Sequence, residues 1–207
     1  MIEKRMLIKE AKKIVGGLST PGKMPCLSIS LPASACITGS KLAKIPGTTC
    51  HECYAKKGNY VRYPAVQAAL KRRLKALTDH RWVRAMVVLI KKRPLFRWHD
   101  SGDLQGAWHL KNIENVCKQT PGCEHWLPTR EAGLLQHKDP DAVPKNLIIR
   151  LSATKIDGAP SQAWPWTSTV VRDGSHTCHA NLKGGKCIDC RQCWDRSIIK
   201  NVSYPKH

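Results

Sequence analysis

The chain has 207 residues, enough for one well-buried domain with little left for a second. Its 35 Lys and Arg against 15 Asp and Glu give a formal charge of +20, and 42% hydrophobic content makes disorder an unsuitable default. The longest apolar run, Ala85–Ile90, stops at Lys91, far short of the roughly eighteen residues of a membrane span, and no secretory leader is visible. A reducing cytoplasm is therefore expected, in which metal-bound thiolates fit the cysteine-rich composition better than disulfides do.

Taken in chain order, the first fifteen residues read as a basic amphipathic helix ended by Gly16-Gly17, with Pro21-Gly22 closing an N-terminal helix and turn over 1–22. Cys26–Leu31 alternates as a strand. Pro32–Tyr60 then reads as a long irregular loop carrying Cys36, Cys50 and Cys53, of a length that usually needs a function or a ligand to order it. Val66, Leu70, Leu74 and Leu77 recur at helical spacing, and Thr78-Asp79 restarts a helix with the stripe Val83, Met86, Val87 and Ile90. Leu95–His99 reads as a strand running into Asp100-Ser101-Gly102-Asp103. Leu110, Ile113 and Val116 share one helix face. His125–Arg130, Asn146–Leu151, Ser168–Val171 and Asn201–Tyr204 complete a set of five or six strands.

Strands alternating with helices predict a single α/β domain over 1–207 with a parallel sheet. The chain is too short for eight units, so a compact or partial TIM-like (β/α) barrel is expected, with residues 172–207 packed on it as a cysteine-rich segment. In such folds the C-terminal strand ends form the functional rim. His99 and Asp103 are candidate acid–base groups there, and the planar fork of Arg130 suits a phosphate or carboxylate. The competing reading is that these side chains only tie neighbouring loops together.

The strongest signal is Cys187-Ile-Asp-Cys190-Arg-Gln-Cys193, where two x2 gaps point three thiols at one small volume. Cys178, eight intervening residues upstream, can complete a four-sulfur set. This pattern favours an iron–sulfur cluster, expected to be of the [4Fe-4S] type, over the zinc site that uses the same ligands. Cys36, Cys50 and Cys53 form a second group, so one shared cluster or two separate ones both fit. Cys26 reads as a core residue or as a fourth ligand to that group. Cys117 borders a helical core stripe and reads as buried, while Cys123 has no partner at ligand spacing.

The charge makes nucleic acid the natural partner class, with Arg72, Arg73, Lys91, Lys92 and Arg93 as candidate contacts. Trp164-Pro-Trp166, in a loop, is a candidate to stack on a base. Two other functions compete with a redox protein: a zinc-stabilised nucleic-acid-binding module, and a structural protein that contacts a host or phage partner and uses the cluster as a folding staple.

A strand, a cysteine loop and a helix in succession resemble the start of the radical S-adenosylmethionine superfamily, in which three loop cysteines hold a four-iron cluster. That resemblance implies Cys36, Cys50 and Cys53 as the three ligands. The gap between the first two is thirteen residues where the superfamily has three, and Glu52 stands where it has an aromatic residue. No Gly-Gly-Glu ends a second strand, so S-adenosylmethionine chemistry is not expected. Thr49–Ala55, Phe96–Asp103, Trp126–Glu131 and the closing cysteines resemble a bacteriophage family named after gene product eighty-eight. This implies a viral origin, expression in the host cytoplasm and a cluster-bearing, radical-enzyme-like fold, with no reaction attached.

Overall fold

The computed structural model describes residues 6–206. Six strands form one sheet in chain order, β1 (Leu27–Ile29), β2 (Leu95–Trp98), β3 (Glu124–Thr129), β4 (Leu147–Ile156), β5 (Thr167–Val171) and β6 (Asn201–Pro205). Every neighbouring pair is parallel. When each strand is added beside the last, crossovers of one hand all return over the same face. The helices therefore collect on one side of the sheet, and β1 and β6 are its two edges.

All six expected strands are present, β4 running five residues beyond its predicted end at Leu151. The helices are less regular than the alternation implied. They are α1 (Ile8–Val15), α2 (Ile37–Leu42), α3 (Asn59–Arg62), α4 (Pro64–Ala76), α5 (Trp82–Ile90) and α6 (Ala107–Lys118). After β3 the described connections contain only single 3-10 turns. The cysteine loop, expected to be irregular throughout, contains α2 and the start of α3. Of the predicted N-terminal helix, the part within the described residues is α1; Met1–Arg5 lie outside them. Gly16 ends α1 at φ 75°, and a Cβ there would stand 3.0 Å from the Arg73 backbone nitrogen. That approach is open only to glycine, and it seats α1 against α4.

On the helix face, Ala11 and Val15 of α1, Met86 and Ile90 of α5 and Ile113 and Val116 of α6 cover Ile29, Phe96, Trp98, Leu127 and Ile149 of the sheet. Three histidines share this layer: His125 stacks on Trp98, His109 packs edge-on to Trp82, and His99 lies 5.2 Å from His109. Burial keeps them neutral, lowering His109 to about 4, His125 to about 3 and His99 well below its usual value.

The strand positions in between face the other way. Leu95, Trp126, Ile148 and Val202 form a second core with Cys26, Cys193 and Trp194. This face is covered by residues 172–200, which have little regular structure. The order there comes from side-chain donors. Arg150, fully buried on β4, donates to the carbonyls of Gln192, Cys193, Asp195, Ile199, Lys200 and Thr167. Arg196 donates to the carbonyls of Val143, Pro144 and Leu147, and Trp194 Nε1 to that of Phe96. The two loop tryptophans proposed for base stacking belong to the same scaffold: Trp164 is buried and donates to Ile149 O, and Trp166 donates to Arg196 O.

Arg150→Met leaves these carbonyls without their donor, so a loss of about 3 kcal/mol or more is expected, checked by urea unfolding, with faster hydrogen exchange confined first to residues 190–200. The buried histidines set an acid limit. A histidine with a lowered folded pKa takes its proton only in the unfolded chain, so its stability is complete above about 6.5 and falls as the pH drops toward the folded value. Each contributes a slope of about 1.4 kcal/mol per pH unit in that window. His109→Phe should therefore make the urea midpoint less pH-dependent between pH 6.5 and 4 by one proton; an unchanged slope contradicts the neutral burial.

Candidate functional site

The C-terminal cysteines are brought together. Cys178, Cys187, Cys190 and Cys193 line one cavity of about 260 Å³ with His179 and Trp194. Backbone pairing fixes two of them at opposite edges of the sheet. Cys178 N donates to Ser203 O of β6 at 3.0 Å, flanked by reciprocal bonds between Thr177 and Ser203. Cys187 N donates to Lys23 O at 2.9 Å, just ahead of β1. The segment thus spans the gap between the two edge strands. Cys193 Sγ lies 3.2 Å from the Tyr204 hydroxyl, and burial pushes this thiol up to about 12. Burial also raises Cys187, helped by the neighbouring Cys178 and Cys190.

The N-terminal cysteines form a second group, over the C-terminal ends of β1 to β4. Cys36 precedes α2, Cys53 precedes a 3-10 turn, and Thr49 N holds the loop to Thr154 O of β4 at 2.9 Å. A Cβ added at Gly39 would stand 3.5 Å from Cys50 Sγ and 3.6 Å from Cys36 Sγ, so both sulfurs converge on one hollow that the glycine keeps open. Burial pushes Cys36 up to about 12, with Asp103, Cys53, Cys50 and Glu131 adding negative charge. Cys50 is also raised by burial, partly offset by Arg130. Cys26 does not join this group. It packs on the opposite face, beside Cys187 and Cys123. Cys117 is buried beneath α6 as expected, and all ten cysteines are free thiols. No group of three or more Cys, His, Asp or Glu among the described residues is drawn in tightly enough to hold a single metal ion.

Two of the three predicted rim residues meet at the N-terminal group. Asp103 accepts from Thr129 Oγ1 (2.6 Å) and from the backbone of Leu104 and Arg130, and burial raises its carboxyl to about 6. Arg130 Nε donates to Thr49 Oγ1 at 3.0 Å. Gly102 positions Asp103: its φ is 81°, and a Cβ there would fall 2.5 Å from the Leu31 side chain. His99 stands apart. A left-handed backbone, φ 54°, turns its ring onto His109 in the helix layer, where both ring nitrogens lack a partner. Its position at the end of a strand suggested the rim, but backbone conformation reversed its side.

Side chains of ordinary appearance in the sequence complete the arrangement. Glu131 takes both the backbone N and the hydroxyl of Thr38, at 2.9 and 2.7 Å, pinning α2. Asp100 accepts from Ser28, Ser30 and Tyr60, and its carbonyl from the Tyr54 hydroxyl. Arg97 has Tyr54, Asp100, Tyr204 and Cys193 as the ionisable groups around it. Its guanidinium sits 4.5 Å over the Trp126 ring, and its buried Nε has no partner. The strand alternation of Leu95–His99 put Arg97 on the face opposite Phe96 and Trp98, which is the one signal that could have marked it.

No helix among the described residues is long and apolar enough to cross a membrane. No curated protein and no solved structure matches the chain. A family model does: residues 2–196, nearly the whole length, match the one described as Gene product 88, and the chain belongs to that family.

Proposed function

We propose that this is an iron–sulfur protein with two separate four-iron sites, one at each cysteine group, on a partial (β/α) barrel. The observation that carries the reading is the cavity lined by all four C-terminal cysteines. Its four thiols, with His179 and Asp189 also at the wall, suit iron–sulfur or zinc chemistry. The two x2 gaps of Cys187, Cys190 and Cys193 favour the cluster, because a third cysteine added to a CxxC pair is more typical of iron–sulfur ligation than of zinc. Buried Arg150 and the unpartnered Nε of Arg97, both near Cys193, supply positive charge for an anionic cluster. Such a site would bridge the seam between β6 and β1, so binding would also contribute to folding.

The N-terminal site has three thiols and no fourth cysteine. Cys36, Cys50 and Cys53 would be the thiolates of a four-iron cluster there, with Asp103, Glu131 and Arg130 as their charged neighbours. This favours a redox or ligand-binding role for the N-terminal site and an anchoring role for the C-terminal one. Raised thiol pKa values at Cys36 and Cys193, each about 12, mean that loading either site releases protons.

Anaerobically purified protein should contain about eight irons and eight sulfides per chain. Cys190→Ser and Cys50→Ser should each halve that content, but only Cys190→Ser should also lower the melting temperature by many degrees, because only its site ties the sheet edges together. A colourless protein with one or two zinc ions per chain would replace this reading with a zinc one. Equal destabilisation by the two variants would remove the division of roles.

A further inference from the structure

The segment between α2 and α4 carries features that neither cysteine group uses. From Lys56 to Ala65 every residue except Tyr60 is exposed. Over residues 37–63 there are five cations, Lys41, Lys44, Lys56, Lys57 and Arg62, against one carboxylate, Glu52. Lys206 already neutralises Glu52 at 3.0 Å, and none of the five cations has an ion-pair partner among the described residues. Interleaved with them are Tyr54 and Tyr63, 52% and 48% exposed despite their size. Tyr54 is held by its hydroxyl on the Asp100 carbonyl and packs edge-on with Tyr60 at 5.9 Å, so its ring is presented rather than mobile.

Beside Tyr60 opens a pocket of about 330 Å³, at the small end of the range for ligand sites. Ala65, Ala69 and Leu70 of α4 make its apolar wall, and Arg73, Asp100 and Ser30 its polar end. Arg73, expected from sequence to be a surface contact, is buried here. It spends Nε on Gly17 O and Nη1 on Ser19 Oγ, leaving Nη2 for a ligand. A flat apolar wall ending in one spare donor and one acceptor suits the edge of a heteroaromatic base.

We propose that this face binds a single strand of nucleic acid, its phosphates on Lys56, Lys57 and Arg62, its bases on Tyr54 and Tyr63, and one base in the Arg73–Asp100 pocket. Charge alone would accept any polyanion. Exposed rings among unpaired cations select unstacked bases, which a duplex does not offer. A second cationic patch, Lys91, Lys92 and Arg93 after α5, serves as a control. The inference stands without metal at either cysteine site.

The test is fluorescence anisotropy of full-length, anaerobically purified protein with labelled oligonucleotides of about twelve nucleotides, between about 50 and 200 mM salt. Single strands should bind more tightly than the matching duplex. Removing three phosphate contacts with Lys56→Ser, Lys57→Ser and Arg62→Ser together should reduce the salt slope by about 2. Tyr63→Ala should weaken binding about tenfold with the slope unchanged, and Tyr63→Trp should restore it. Ala69→Phe, which fills the pocket, should abolish the fluorescence change of a 2-aminopurine strand. Lys91→Ser with Lys92→Ser should change affinity less than twofold. Iron content and melting temperature, measured on every variant, separate misfolding from lost contacts. The proposal is overturned by duplex binding as tight as single-strand binding, by equal competition from polyglutamate (which would mark an acidic protein partner), or by no effect of Tyr63→Ala.

Discussion

Between Gln192 and Lys200 the chain forms neither helix nor strand, and five of its carbonyls, most of them partly buried, accept from the Arg150 guanidinium. A buried carbonyl without a donor costs about 1–3 kcal/mol, and Arg150 answers six, one of them on β5 and five between Gln192 and Lys200. The five-donor fork of arginine is the one side chain able to do this from a single position. The arrangement leaves a cation in the interior with no carboxylate touching it. Burial holds its neighbours Tyr204 and Cys193 protonated, and Asp195, whose carboxyl is lowered, acts on it without touching it. A thiolate-bound metal centre would resolve that imbalance, which ties the proposed chemistry to the packing.

The sheet's topology explains why two cysteine groups form instead of one. A parallel sheet in chain order has its edges at β1 and β6, and the C-terminal segment attaches to both, through Ser203 and Lys23. The N-terminal loop instead lies across the ends of the strands, fastened by Thr38 to Glu131 and by Thr49 to Arg130 and the Thr154 carbonyl. Tyr54 and Cys193 are both among the ionisable groups around Arg97. The loop that presents three thiols on its inner side also carries exposed lysines and tyrosines on its outer side. A strand bound there would lie next to the N-terminal thiols.

Strand-level organisation was legible from the chain because it rests on local pattern. Alternation in Cys26–Leu31 and Leu95–His99, and apolar runs such as Asn146–Leu151, need only neighbouring residues to be read. The cysteine groups were legible for the same reason, since x2 spacing brings thiols together without help from distant segments. The missing helices after β3 were not. Parallel strands need a crossover, but the crossover need not be helical when buried arginines and indoles satisfy its backbone.

By itself, then, the sequence indicated an α/β chain of five or six strands, the two cysteine groups with Cys26 left open between core and ligand, and a strong positive charge. Tertiary structure decided what depends on the face a side chain takes. It sent Cys26 to the second core beside Cys187 and His99 to the helix layer, and it buried Arg73 while leaving Tyr63 exposed. It also placed Arg150 and Arg97, two of many arginines in the sequence, in the interior beside Cys193. Period and spacing are written within a few residues of one another. Burial, charge balance and the meeting of distant loops are fixed only when strands far apart in sequence share one sheet.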